Sequence, residues 1–341
     1  MGFPKHLVNL IQSLYTDQYA KIRWNGENSE PFPITKGVRQ GCILSPHLFS
    51  IYTEQVMRDA EIEDLGINIG GRNLSNLRYA DDTALIAENI ENMKLLLNQV
   101  DEAGKKAGLL LNAKKTKVMH IGGVDEPVIE INSTRLENVT DFKYLGSVKT
   151  ADANCNKDII TRIAMAKQRM VHLNNIWKDR GIAKGLKITI LKALIWPVMM
   201  YGSEAWTLRK NDENRINAAE MWFYRRLLRV SYTEKRTNES IMTELNTKPQ
   251  LLLTITKRKM QYLGHTVRNK RCNLMKTVLQ GKMEGKRKRG RPMMSYMDNI
   301  MKKTALPAAT LYRLCEDRDG WRGLTRASTL SATVTNDDAD R

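Results

Sequence analysis

Leu77-Arg78-Tyr79-Ala80-Asp81-Asp82-Thr83-Ala84-Leu85 is the stretch on which the reading of this chain turns. Its β-compatible flanks around two adjacent aspartates predict two strands joined by a tight turn, with both carboxylates at the tip. Like charges held that close repel unless a cation lies between them. Two readings of the residues follow. An exposed polar turn explains them, because aspartate is a common turn residue. A divalent-metal site for phosphoryl or nucleotidyl transfer explains them too, because aspartate oxygens hold the paired ions of that chemistry.

Outward from the turn, Ile90, Met93, Leu96, Leu97, Val100 and Ala103 recur at three and four, predicting a helix over about 89–107 that stops at Gly108. Upstream, Leu7, Leu10, Ile11 and Leu14 predict a short helix over 5–15, and residues 37–45 read as a loop. Ser45-Pro46 then reads as a helix start, with Ser45 as N-cap and Leu48, Phe49, Tyr52 and Val56 facing inward. Downstream, strands are expected at 109–112, 117–121, 128–139 and 142–148. From residue 157 the pattern becomes helical, with three apolar stripes: Ile160, Ile163, Met170, Leu173 and Ile176; Leu186, Ile190, Leu194 and, past a kink at Pro197, Tyr201; Ile216, Ala219, Phe223 and Leu227. Residues 232–248 are polar enough for a linker, and 331–341 read as a frayed, disordered tail.

The bulk numbers, 341 residues at 42% hydrophobic and 27% charged, are those of a globular chain with room for two or three domains. The net charge of +18 is unevenly placed: residues 257–291 hold thirteen basic side chains against one acid, Glu284. Such a field predicts a nucleic-acid partner, and no amphipathic Trp/Leu face accompanies it to suggest a membrane. Cys42, Cys155, Cys272 and Cys315 form no close pair, which argues against a disulfide framework and for a reducing compartment. His265 with Cys272 offers two ligands where structural zinc needs four. With no signal peptide, myristoylation motif or run of eighteen apolar residues, the chain is expected in the nucleus or cytoplasm, not at a membrane or exported.

Several ordered motifs then converge. Gly37-Val38-Arg39-Gln40-Gly41-Cys42-Ile43-Leu44-Ser45-Pro46-His47-Leu48-Phe49 resembles motif B of the reverse transcriptases of non-long-terminal-repeat (LINE-type) retrotransposons, and Tyr79-Ala80-Asp81-Asp82 resembles their motif C. Gly108-Leu109 with Asn112, Lys115 and Thr116 is similar to motif D, and Phe142-Lys143-Tyr144-Leu145-Gly146-Ser147 to the primer-grip hairpin. The likeness continues through Tyr201-Gly202-Ser203-Glu204-Ala205-Trp206, Gly264-His265 with Arg268, the run from Gly285 to Pro292, and Asp317-Arg318 with Trp321-Arg322.

The resemblance implies an α+β fold: a partial right-handed polymerase palm of antiparallel sheet and helices over 1–150, an all-helical thumb over 151–231, and a basic nucleic-acid-binding region over 232–330. It implies RNA-directed DNA synthesis from deoxynucleoside triphosphates on an RNA template with a DNA primer, and a DNA target. Asp81 and Asp82 would hold Mg²⁺ or Mn²⁺, Tyr79 would line the nucleotide site, and Arg39, Gln40 and Gly41 would lie along template and nucleotide. Lys115 or Lys117 is the candidate for protonating the leaving pyrophosphate; either could equally be a solvated residue or a phosphate contact.

The family's motif A, with the third carboxylate, would precede Gly2, so the chain as written is expected to hold two carboxylates of three and an open sheet edge, with a longer parent protein supplying the rest. On that ground an inactive remnant, binding nucleic acid through thumb and tail, competes with an active polymerase and is preferred for the chain as written. Lys286, Arg287, Lys288, Arg289 and Arg291 are read as phosphate contacts before an AT-hook or a nuclear-localisation run. A DNA-binding adaptor unrelated to polymerases would explain only that run. Tyr262, Tyr296 and Trp321 are candidates for stacking on bases or for core packing.

Overall fold

The computed structural model describes residues 2–122, 127–269, 273–281 and 293–331, with side chains through residue 326. Up to residue 150 short strands and helices alternate; beyond it the described chain is helical. Helix α1 (Lys5–Tyr15) leads into the paired strands β1 (Tyr19–Ala20) and β4 (Phe32–Pro33), which enclose β2 (Arg23–Trp24) and β3 (Glu27–Asn28). The amphipathic stripe of α1 is present, yet none of its residues is fully buried.

Helix α2 (Ser45–Asp59) starts where expected but not by the expected cap. Leu44 is the N-cap, and the Ser45 hydroxyl instead donates to the Arg39 carbonyl at 2.6 Å. Val56 is buried, Leu48 and Phe49 are half-buried, and Tyr52 is exposed, its hydroxyl turned to the Ala107 carbonyl. The hairpins β5 (Ile67–Ile69) with β6 (Arg72–Leu74) and β7 (Asn76–Tyr79) with β8 (Asp82–Leu85) follow. Helix α3 (Ile90–Lys106) is capped by the Asn89 side chain, which accepts from the Asn92 amide at 2.8 Å, and ends before Gly108 at φ +72°. Its Leu96, Val100 and Ala103 meet Val56, Ala60 and Ile62, so the acidic hairpin lies beside an α2–α3 core.

Residues 109–112, expected as a strand, form none, and residues 117–121 reduce to β9 (Lys117–Val118). The remaining strands are β10 (Glu130–Ile131) with β11 (Thr134–Arg135), β12 (Glu137–Asn138) parallel to β9, and β13 (Asp141–Tyr144) with β14 (Ser147–Thr150). Among the described residues these are two-stranded ladders and not one continuous sheet, and no further strand pairs with β7 or β8. The architecture is mixed helix and small sheet, compatible with α+β.

The helical part is α4 (Asn156–His172), α5 (Asn174–Lys178), α6 (Lys184–Ile190), a π-turn (Leu191–Ile195), α7 (Trp196–Met199), α8 (Lys210–Leu228), α9 (Asn238–Leu245) and α10 (Leu251–Arg268). Then come α11 (Asn273–Gln280), α12 (Tyr296–Thr304), α13 (Ala308–Glu316) and α14 (Arg318–Ser331). The α8 stripe is as expected, with Ile216, Ala219, Phe223 and Leu227 all buried. Along α4 and α5 Met170 is buried and Ile163, Leu173 and Ile176 pack against the core as expected, but Ile160 is half out in solvent and Ile159 and Ala166 are buried in addition. Across α6 and the π-turn the expected Ile190 packs against the core, but Leu186, Leu194 and Tyr201 are exposed, and Leu191 and Ile195 are buried instead. Widening the turn before Pro197 accommodates its missing N–H without a break, and the π-turn rotates the buried face.

Residues 232–248 are no free linker, for Ile241 and Leu245 of α9 lie in the same core as α4 and α8. Helix α10 spans two cores, giving Leu251 and Ile255 to the first and Met260, Leu263 and Val267 to a second with Ile300, Leu311, Cys315 and Trp321. Trp321 is core, its indole N–H donating to the Met260 carbonyl at 2.9 Å, and Gly264 faces its ring. Between the two cores the Lys259 ammonium is buried, donating to the Trp206 carbonyl at 2.7 Å and Asn299 Oδ1 at 2.6 Å, with the Tyr296 ring 4.3 Å away. Tyr296 thus packs on a lysine, and Tyr262 is half-buried. Burial pushes Lys259 down to about 7, with the charge of Lys303 acting in the same direction and Cys155 opposing it.

Candidate active site

The register of β7 and β8 pairs Asn76 with Leu85, Leu77 with Ala84, Arg78 with Thr83 and Tyr79 with Asp82, leaving Ala80 and Asp81 as a two-residue turn. Ala80 has φ +53°, a conformation that costs a residue with a Cβ about 1–2 kcal/mol and that glycine would adopt freely. Asp81 and Asp82 are both exposed, and neither carboxylate makes an ion pair or side-chain hydrogen bond among the described residues. The described residues contain no cluster of three His, Cys, Asp or Glu side chains suited to a metal. An unpartnered carboxylate pair nevertheless suits magnesium, which keeps several waters and binds through one or two carboxylates together with substrate phosphates.

Arg78 ties the hairpin to α2. Its guanidinium donates to the Thr53 carbonyl at 3.2 Å and to Glu54 Oε2 at 2.6 Å. Hydrogen bonds from Arg78 and then Arg58 hold the Glu54 carboxyl below the ordinary glutamate range. On another side, the Tyr144 hydroxyl from β13 donates to the Leu77 carbonyl at 3.2 Å and lies 3.5 Å from the Asp82 carbonyl. Burial, and then the negative charge of Asp82, raise Tyr144 above the ordinary tyrosine value. Tyr79, next to the turn, is 68% exposed and open to a ligand.

The loop before α2 is shaped by Gly37 (φ +89°) and Gly41 (φ +80°). A Cβ at Gly41 would meet no atom within 4 Å, so the glycine serves backbone conformation and leaves an open approach. Arg39 is engaged within the protein: its Nε donates to Gln18 Oε1 at 3.0 Å and its Nη2 lies 3.5 Å from the Leu14 carbonyl, anchoring the loop to the end of α1. Gln40 is exposed beside it. The two lysine candidates separate, because Lys117 pairs with Glu137 whereas Lys115 stands exposed in the turn that Asn112 starts. Lys286, Arg287, Lys288, Arg289 and Arg291 lie outside the described residues, as do Cys272 and residues 332–341.

Sequence reasoning did not find Arg78, Glu54 or Tyr144, whose roles come from contacts across 24 to 67 positions. It also missed that the segment around Tyr144-Leu145-Gly146-Ser147 and that of Tyr201 to Trp206 meet. Asp158, 2% exposed on α4, accepts from the Val148 amide at 2.9 Å, the Ser147 hydroxyl at 3.1 Å and the Trp206 indole at 2.8 Å. Asp158 and Arg162 at i and i+4 were the available signal, but a surface ion pair gives the same spacing.

Residues 1–148 match the family described as reverse transcriptase (RNA-dependent DNA polymerase). Relatives extend the likeness past it. A transposon-derived protein of Caenorhabditis elegans is 26% identical over 280 residues, covering 78% of this chain and all of that one. The Pol polyprotein of the type-2 retrotransposable element R2DM of Drosophila melanogaster is 30% identical over 223 residues, 62% of this chain. The RNA-directed DNA polymerase from mobile element jockey of the same fly is 20% identical over 237 residues, 66% of this chain. The chain spans 21% and 25% of the lengths of those two. Both are proteins of mobile elements, and the similarity to each runs over more residues than the matched segment holds.

Proposed function

We propose that this chain takes part in RNA-directed DNA synthesis, with Asp81 and Asp82 as carboxylates of the nucleotidyl-transfer site. The observation that carries the reading is the exposed, unpartnered carboxylate pair, Asp81 in a strained two-residue turn and Asp82 at the start of β8, inside a segment matched to reverse transcriptases. Reverse transcriptases generally use divalent ions, nucleotides and a nucleic-acid template. In this reading Mg²⁺ or Mn²⁺, held by Asp81 and Asp82, supplies charge neutralisation for the transferring phosphoryl group. Tyr79 packs along the incoming nucleotide, and Gln40 and Gly41 face the nascent base pair. Arg39 holds their loop in place, and Lys115 provides the proton for the departing pyrophosphate.

Residues 1–150 then act as palm, the helical core that begins with α4 as thumb, and the basic region after it as the contact to nucleic-acid phosphates through Lys286, Arg287, Lys288, Arg289 and Arg291. An RNA template, a DNA primer and a DNA target are the partners. Relatives described as RNA-directed DNA polymerases favour this reading over the inactive remnant preferred from sequence. No helix among the described residues is long and apolar enough to cross a membrane, and the reading places the protein in the nucleus or cytoplasm.

Primer extension on an RNA template with Mg²⁺ or Mn²⁺ tests the reading, comparing the chain with its Asp81→Ala variant. Extension that disappears in Asp81→Ala is expected, and extension that survives it would remove the hairpin from the chemistry.

A further inference from the structure

Four consecutive residues of the β13–β14 hairpin, Leu145 to Val148, are gripped by the helical part of the molecule. The Tyr201 hydroxyl donates to the Leu145 carbonyl at 2.8 Å, and Arg162, its guanidinium 4.4 Å from the Tyr201 ring, donates to the Gly146 carbonyl. Asp158 takes the Ser147 hydroxyl and the Val148 amide while also accepting from Trp206. A buried carboxylate with three donors is a stiff joint, because leaving any donor buried and unpaired costs more than the hydrogen bond itself contributes.

Ser147 pairs with Tyr144 across the ladder, so the Asp158 anchor on one strand fixes the residue on the other. Tyr144 in turn sets its hydroxyl against the carbonyls of Leu77 and Asp82, on both strands of the acidic hairpin. No further strand braces that hairpin among the described residues, and its turn is strained at Ala80, so these contacts share its placement with the Arg78 bonds to Thr53 and Glu54 and with Leu85 packed against the neighbouring cores.

We infer that Asp158 and Tyr144 are positioning residues, a relay through which the helical unit sets where the Asp81–Asp82 turn stands. Neither touches a reacting group. Their role in catalysis rests on the metal-binding reading of the two carboxylates; their role in placing the hairpin does not.

Hydrogen–deuterium exchange of the full chain, combined with Mn²⁺ binding followed by electron paramagnetic resonance, separates the two. Tyr144→Phe keeps the ring of a half-buried side chain and removes one hydroxyl. Amides of residues 77–85 should then exchange about 2- to 12-fold faster, the effect of one hydrogen bond. Asp158→Asn should accelerate the same amides together with 145–150, although it lies outside both hairpins. Asp212→Asn, at a buried acid that caps α8 far along the chain from either hairpin, should leave 77–85 unchanged. Both relay variants should weaken Asp81-dependent Mn²⁺ binding several-fold.

Wild-type exchange at 77–85 in Tyr144→Phe and Asp158→Asn would overturn the relay, as would an equal acceleration in Asp212→Asn. Faster exchange at 77–85 with Mn²⁺ binding that never depended on Asp81 would uphold the relay and overturn the metal reading of the hairpin.

Discussion

Replacing Lys259 with methionine removes a buried ammonium and makes its titration readable as a pH-dependent difference between two otherwise equal chains. Lys259 is 3% exposed, and burial lowers it from 10.5 to about 7. Between those values the unfolded chain binds a proton that the native chain does not, so stability rises with pH. Below pH 7 both states hold the proton and the penalty is constant; above about 10.5 neither does and the penalty is gone. The limiting slope is about 1.4 kcal/mol per pH unit, so wild type should gain about 2 kcal/mol over Lys259→Met between pH 7 and 9.

Methionine keeps the apolar length but leaves the Trp206 carbonyl and Asn299 Oδ1 without their donor, at about 1–3 kcal/mol each. These losses oppose the relief of burying no amine, so the pH dependence is more telling than the sign at any one pH. Urea midpoints at pH 6, 7, 8 and 9, each converted with its own m-value, give the difference directly. A constant difference from pH 7 to 9 would refute the reasoning and show that the two carbonyls and the Tyr296 ring keep the ammonium charged.

Gly264→Ala places a methyl 2.3 Å from the Trp321 indole nitrogen, so the second core must shift. The cost should be about 1–3 kcal/mol, with a change in Trp321 fluorescence, and an unchanged melting temperature would contradict the packing described. Arg78→Ala should return the Glu54 carboxyl toward the ordinary glutamate range in a selectively labelled NMR titration. The pair is partly exposed, so its loss should cost only about 0.5–1 kcal/mol. The stabilisation comes from a depressed carboxylate, so it is present above the ordinary glutamate value and is lost as pH falls through the depressed one. Replacing Lys286, Arg287, Lys288, Arg289 and Arg291 with serine should reduce the slope of log affinity for duplex DNA against log salt by up to about 4 to 5. An unaltered slope would show that other cations make the phosphate contacts.

The acidic turn was legible because its information is local: four residues specify a hairpin and two charges. The α8 stripe was legible for the same reason, as a period sustained over nineteen residues. On α4 the pattern allowed two overlapping faces, and only packing in the core shared with α7 and α8 selects Ile159 over Ile160. On α6 a π-turn changed the period itself, which a fixed 3.6-residue template cannot follow. Strands of two residues, such as β9 and β12, carry too little alternation to be read. Tyr144 and Asp158 could be named within quoted or helical stretches, but their partners lie tens of positions away, and nothing local distinguishes them from ordinary strand and helix residues.

Helix α10 puts one unbroken rod of about 27 Å through two hydrophobic cores. Two bodies joined by a loop can swivel independently, whereas two bodies threaded on one helix share its axis. With a continuous helix and no loop between the two cores, a protease probing the native chain meets no slack between residues 251 and 268.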